Sequence, residues 1–211
     1  MFNNTHITSG AGDNMQTLDT RIKGTYHITD VSNLASILNQ GLQSHAEAYK
    51  CGLVKKDISE PTVNARRGKF RFSDGRSLHD YAVLYFNPLN PMLYMRKAMQ
   101  KRLVILEFST EIFRHHGIKV TDGNAADGAT QVLEPAQLDL VDFDTVFAQY
   151  WTDHTDGKRK RCAEVLYPSV LPSAFITAIC VASAELAKWI CDHIEPRFHS
   201  LVQVRQEVFF S

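Results

Sequence analysis

Cysteine is scarce: Cys51, Cys162, Cys180 and Cys191 are scattered through 211 residues, and no two have C-x-x-C spacing. That excludes the common zinc-ribbon and dithiol motifs and points to a reduced, cytosolic protein. Metal binding is not expected on other grounds either. His115 and His116 are adjacent and would point different ways in a strand, and Cys191-x-His193 has no complementary pair. No apolar run approaches the roughly 18 residues that mark a membrane span. The start lacks a hydrophobic signal segment, so no membrane association is expected. A glycine-rich phosphate loop is missing as well: the glycines of "TDGNAADG" follow no strand-to-helix pattern and read as a turn. Excess charge of one sign is also absent. With 23 Lys+Arg against 23 Asp+Glu, any nucleic-acid binding must come from local patches.

What is present suits a globular domain. Hydrophobic residues make up 44% and charged residues 22%, enough for a real core. Residues 1–20 are polar and rich in Gly, Asn and Thr, and read as a loose leader; residues 21–211 read as one domain. Within it, "IKGTYHIT", "AVLYF", "LVILEFS", "RCAEVLYP", "FITAICVA" and "LVQVRQEVFF" have strand character. "DVSNLASILNQGL" predicts a short helix with Asp30 or Ser32 as N-cap and Gly41 at its end. "MLYMRKAMQKR" and "SAELAKWICDHI" are further helices, "LDLVDFDTVFAQYW" one or two short ones, and 43–80 mostly loop. Strands and helices mix without βαβ regularity, which argues an α+β fold.

Three groups of residues stand out. In "KRKRCAEVLYP" four cations, Lys158, Arg159, Lys160 and Arg161, run into an apolar strand that contains one carboxylate, Glu164. Alternation places Cys162, Glu164 and Leu166 on one face, where an unpaired charge is costly. Glu164 is therefore either a structural acid paired with an arginine or a functional group. "SLHDYAVLYFNPLNPMLY" is a corner with two prolines, and its Tyr81, Tyr85 and Tyr94 are core aromatics or stacking surfaces for a flat ring. His27 and Thr29 of "YHIT" share one face of a strand; a second "HIT" at His6–Thr8 lies in the polar leader. Basic clusters recur at "ARRGKFR", "RKAMQKR" and "KRKR" in a neutral chain, so charge is segregated, with solvated faces and a phosphate-facing surface both open.

Taken in order, "YHITDVSNLASILNQGLQS", "VNARR", "SLHDYAVLYFNPLNPMLY", "VTDGNAA" and "KRCAEVLYP" resemble the DarT family of DNA ADP-ribosyltransferase toxins, over roughly residues 22–211. The resemblance implies a mono-ADP-ribosyltransferase-like fold, with two small mixed or antiparallel sheets and flanking helices around an NAD cleft. It implies transfer of ADP-ribose from NAD to a base of single-stranded DNA, thymidine or, in another branch, guanosine. It also implies a DarG-type macrodomain antitoxin as partner, and a cytoplasmic monomer is expected. Carried over by position, the glutamate of the A-E-V-L segment falls on Glu164, the H-x-T that holds NAD on His27 and Thr29, and the following asparagine on Asn33. The arginine falls on Arg67 or Arg66, with Arg67 preferred, and Tyr85 is a nicotinamide-side aromatic. Leu89 stands where the family often has a basic residue, a departure that puts a phosphate contact there in doubt. Lys158, Arg159, Lys160 and Arg161 are expected to clamp the DNA backbone.

The chemistry asks for these residue types. NAD's glycosidic bond breaks with positive charge developing on the ribose, which a fixed carboxylate in low-polarity surroundings stabilises. Enzymes that modify protein arginines often carry a second acid two residues before the catalytic one; here that position is Cys162. RNA and protein acceptors remain alternatives, as does a non-catalytic single-strand-binding module, although that module would have no use for Glu164.

Overall fold

The computed structural model describes residues 18–211; the expected leader, up to residue 17 and including the second "HIT", lies outside the described residues. Eight strands make one sheet: β1 (Thr25–Asp30), β2 (Tyr81–Tyr85), β3 (Leu103–Phe108), β4 (Lys119–Thr121), β5 (Val132–Leu133), β6 (Glu164–Pro168), β7 (Ile176–Val181) and β8 (Val202–Val204). Their spatial order is β5-β4-β6-β2-β1-β3-β7-β8, antiparallel except for β7 with β8.

The expectation of two small sheets is therefore corrected, and the reason lies at the middle of the sheet. β1 pairs with β3 at six positions and β2 with β6 at five, but β1 and β2 meet at one registered pair, Tyr26 with Tyr85. Beyond that pair the strands part. The imidazole of His27 bridges the gap, its Nδ1 2.9 Å from the carbonyl of Val83. The two halves are thus one sheet joined at a narrow seam.

Alternation along the strands sorts the core. Leu84, Leu106, Val165 and Ile179 pack on one face with the helix α1 (Leu34–Gln40). Tyr26, Ile28, Leu103, Ile105 and Cys180 pack on the other, with α4 (Pro91–Met95). Asp30 caps the turn that opens α1, accepting from the Ser32 amide at 2.9 Å. Gly41 closes it at φ +78°, where a Cβ would meet the Leu171 carbonyl oxygen at 2.7 Å.

Two elements between 43 and 80 are more regular than the sequence suggests: α2 (His45–Lys50) and α3 (Pro61–Lys69). Neither buries a residue fully, so neither shows an apolar stripe to read. The chain beyond 90 is less regular than expected. α4 stops at Met95 and a 3-10 stretch follows over Lys97–Arg102. The expected last strand shortens to β8, followed by a 3-10 turn over Gln206–Val208. Short helices α5 (Phe143–Val146), α6 (Gly157–Lys160) and α7 (Ala184–Cys191) complete the fold. No helix of the described residues is long and apolar enough to cross a membrane.

Candidate active site

A cavity of about 680 Å³ opens where β1 and β2 part, within the range of sites that take a small molecule or cofactor. Its walls include His27, Thr29, Tyr85, Arg67, Cys162 and Glu164. Glu164 is 1% exposed. It begins β6, directly opposite Tyr85 of β2, and its amide donates to Thr121 Oγ1 at 3.0 Å. Its carboxylate accepts from Arg67 Nη1 at 3.0 and 2.9 Å, one bond to each oxygen, and from the Ala125 amide at 3.2 Å. Burial pushes the carboxyl above its ordinary value; the Arg67 charge, the Arg67 hydrogen bonds and the Ala125 amide pull the other way. Three hydrogen bonds from two donor groups converging on one carboxylate suit its ionised, acceptor-only form.

Arg67 reaches Glu164 from α3. Glu60 caps that helix by accepting from the Val63 amide at 2.7 Å, Pro61 opens it, and Arg66, Arg67 and Lys69 sit in its last turn, where cations suit the helix dipole. With no fully buried side chain of its own, α3 is fastened by polar contacts. Asn64 bonds His79 Nε2 at 2.9 Å and His45 Nε2 at 3.2 Å, and the two imidazoles stack 4.0 Å apart. Burial lowers the pKa of both rings, Arg67's charge adds to it for each and His79's charge for His45, so both stay neutral at neutral pH. Arg67 Nη2 is buried with no hydrogen-bond partner, a free donor inside the cavity wall. Arg66 is exposed at the cavity mouth, which separates the two candidates: Arg67 meets Glu164 and Arg66 does not.

The H-x-T pair sits across the gap. Because Val83 offers a carbonyl, His27 Nδ1 must be the donor, which leaves Nε2 as acceptor; burial lowers the ring's pKa and keeps it neutral. Alternation puts His27 and Thr29 on the face opposite Tyr85, yet all three line one cavity because the strands have separated. Asn33 is fully committed within the protein. Its Nδ2 donates to Thr29 Oγ1 and the Lys56 carbonyl, and its Oδ1 accepts from the Lys55 and Lys56 amides. It shapes the wall by anchoring the 55–56 segment to β1. Burial raises the Tyr85 hydroxyl's pKa, and the Glu164 charge adds to this, so it stays a neutral phenol.

The family profile described as "DarT: ssDNA thymidine ADP-ribosyltransferase" matches residues 26–210, nearly the whole described chain. The chain belongs to the DarT family. A DNA ADP-ribosyl transferase–DNA ADP-ribosyl glycohydrolase fusion protein of Thermosipho africanus is 33% identical over 79% of this chain; the chain spans 44% of that relative's length. A DNA ADP-ribosyl transferase of Thermus sp. is 30% identical over 77% of this chain and 83% of its own. Among solved structures, Thermosipho africanus DarTG with ADP-ribose superposes with a TM-score of 0.82 at 30% identity, over 89% of this chain and 51% of that one. Thermus sp. DarT with ADP-ribosylated single-stranded DNA gives 0.78 at 25% identity, over 90% and 97%. Thermus sp. DarT with NAD+ gives 0.74 at 25%, over 90% and 98%.

Against this DarT framework the expected four-residue DNA clamp does not hold together. Arg161 is 3% exposed, and its guanidinium donates to the carbonyls of Leu89, Val146 and Ala148 at 2.6, 2.9 and 2.6 Å. Burial lowers its pKa to about 10, so it remains a cation that ties the Leu89 turn and the end of α5 to the segment before β6. Lys160 pairs with Asp142 at 2.9 Å. Arg159 pairs with Asp122 at 2.8 Å and Asp156 at 2.5 Å. Lys158 is exposed at the cavity mouth, with no ion pair among the described residues. Adjacent cations wound into a helical turn must point in different directions, which breaks up the clamp read from a linear run.

The sequence gives no sign of what Arg159 does. It straps the loop after β4 to α6: besides Asp122, it donates to Thr130 Oγ1 at 3.1 Å, and its carbonyl accepts from the Asn124 amide at 3.0 Å. The loop passes so close that a Cβ on Gly123 would meet Arg159 Nη1 at 2.5 Å and its carbonyl oxygen at 3.0 Å. Two residues on, the Ala125 amide reaches Glu164. The glycine of "VTDGNAA" is the one trace of this strap in the sequence.

Proposed function

We propose that this chain transfers ADP-ribose from NAD+ to a thymidine base of single-stranded DNA, releasing nicotinamide. The observation that carries this reading is the buried Glu164 held between Arg67 and the Ala125 amide, at the end of a strand in a cavity lined by His27, Thr29 and Tyr85. The relatives' DNA ADP-ribosyl transferase activity, and the Thermus structures with NAD+ and with ADP-ribosylated single-stranded DNA, support it. Residues 21–211 act as one unit, on NAD+ and DNA within the cytoplasm.

Glu164 supplies fixed negative charge where positive charge develops on the ribose as the glycosidic bond lengthens, and low-polarity walls strengthen that interaction. Nicotinamide leaves as a neutral molecule, so its departure needs no general acid. The new bond forms to a thymine ring nitrogen, whose proton Glu164 accepts; the ionised carboxylate is free to take it once the ribose charge is neutralised. Arg67 holds Glu164 ionised through Nη1 while its unpaired Nη2 meets the substrates. Neutral His27 and Thr29 hold the dinucleotide on the far side, Asn33 by keeping that wall in place, and Tyr85 faces the nicotinamide. Cys162 stands where a second acid would activate a protein acceptor; burial raises its thiol to about 12, so it cannot play that part.

Such an activity on replicating DNA is toxic. The Thermosipho relative fuses a transferase to a DNA ADP-ribosyl glycohydrolase, which supports a macrodomain partner of the DarG type for this chain. The test is intact mass of oligonucleotides, each with one thymidine or one guanosine, after incubation with protein and NAD+. An ADP-ribose-sized gain on thymidine that is lost in Glu164→Ala is expected. No gain on either base, with NAD+ still bound, would overturn the DNA assignment.

A further inference from the structure

A second surface beside the cavity has no part in that chemistry. Tyr94 and Met95, at the end of α4, are 54% and 69% exposed, and Tyr150 is 60% exposed. Tyr94 packs edge-on against Phe210, centroids 5.3 Å apart, and against Trp151 at 6.3 Å; Trp151 and Phe210 meet edge-on at 5.9 Å. Three rings from three remote segments thus form one triangular patch.

The patch is rigid. The Arg161 guanidinium, tied to three carbonyls, covers the Trp151 ring at 5.4 Å. The Phe210 backbone is gripped at both ends by the Gln100 amide, which donates to its carbonyl at 2.8 Å and accepts from its N–H at 2.9 Å. Preset aromatics lose little freedom on binding. The patch also adjoins the cavity: Met92, Met95 and Arg96 of the same segment line it, together with Lys158. Beside the exposed Asp153 of the Trp151 turn, several cations lie near it. Lys158 and Lys101 are exposed without ion pairs among the described residues, and Lys97 reaches only the Ser211 carbonyl.

We propose that Tyr94, Trp151 and Phe210 form a stacking platform for the bases that flank the acceptor nucleotide of a single strand. The proposal rests on the DNA-modifying reading above. Every base has a π-face, so the platform holds the strand without reading its sequence, while nearby lysines meet the phosphates. Duplex DNA is excluded because its bases already stack on one another. Arg161, expected from sequence to touch phosphate, instead serves the strand indirectly by bracing Trp151. Continuity with the cavity and the unpaired cations favour a nucleic-acid strand over a protein partner.

The platform makes activity depend on strand length. Against Tyr94→Ala, KM for a ten-nucleotide acceptor strand should rise about ten-fold, within the range given by losing one stacked base. KM for a dinucleotide, too short to fill both sites, should stay unchanged, and Tyr94→Phe should restore the parent value. In a Trp189→Phe background, Trp151 is the remaining tryptophan, and its fluorescence should be quenched by the longer strand only. Unchanged KM for the long strand in Tyr94→Ala, or equal quenching by both lengths, overturns the platform. If the parent modifies no DNA, the functional reading fails instead, and the quenching arm alone decides the platform. If Tyr94→Ala weakens binding of a macrodomain partner and spares DNA, the patch is a protein interface and the proposal is wrong.

Discussion

Replacing Arg67 by methionine isolates what its guanidinium does for Glu164. The carboxyl's folded value is raised above 4.5 by burial, while Arg67 pulls it back. A raised value means that the stabilising contribution is fully present below 4.5 and is lost as pH rises through the folded value. In Arg67→Met both opposing effects of Arg67 vanish, so the folded value climbs further and the loss continues to higher pH. The cost is capped because the carboxyl can take a proton instead of staying charged. At about 1.4 kcal/mol per pH unit, the interval from 4.5 to 7 gives at most about 3.4 kcal/mol at neutral pH. That agrees with the low end of the roughly 3–5 kcal/mol seen when one partner of a buried pair is removed. In a chain of this size the cap corresponds to a Tm lower by up to roughly 7–14 °C. Melting both proteins between pH 4.5 and 8 should give a gap that is flat below the parent's folded value and opens above it. A gap independent of pH across that range would refute the reasoning, because Glu164 would then be neutral with or without Arg67.

Other outcomes follow from the same contacts. Glu164→Gln keeps the shape but leaves the buried Arg67 cation without its counter-charge, so it should melt below the parent, while activity falls on the order of 10²–10³-fold, read by single-turnover kinetics. Arg159→Met releases the loop that carries the Ala125 amide, and kcat should fall on the order of ten- to a hundred-fold with KM for NAD+ nearly unchanged. Gly123→Ala pushes a methyl into the Arg159 side chain and against its carbonyl, and should cost about 1–3 kcal/mol in chemical denaturation. Lys158→Ala should leave Tm alone and reduce the salt slope of single-strand binding by about 0.7, whereas Arg161→Met should lower Tm by taking the side-chain donor from the Leu89 and Ala148 carbonyls, the Val146 carbonyl keeping Asn87 Nδ2.

Much of this fold could be read from sequence where burial leaves a pattern. The strands holding His27, Tyr85 and Glu164 lie close to where alternation and apolar runs put them, and Glu164 proved to be the paired acid that its apolar flanks required. Helix α3 was hidden because it is fastened by Asn64 and Arg67 rather than by an apolar face. The run of four cations misled because charge says nothing about direction: a single helical turn sends Arg161 inward, Arg159 and Lys160 onto neighbouring acids, and Lys158 unpaired to the mouth. The sheet count failed on one pair. A seam of a single register, Tyr26 with Tyr85, leaves no mark in either strand's composition.

That seam has a further consequence. Where β1 and β2 part, each turns toward the other a strand edge whose amides and carbonyls have no strand opposite. On a protein's outside such an edge is a hazard, since any extended chain can add to it and start an aggregate. Here the edges face inward on the cavity, and His27 already fills part of the gap by bonding the Val83 carbonyl. The cavity there, about 680 Å³, is of a size for a small hydrogen-bonding molecule rather than for a strand of another chain. The fold therefore keeps the adhesiveness of an open sheet and reserves it for a guest of the right thickness.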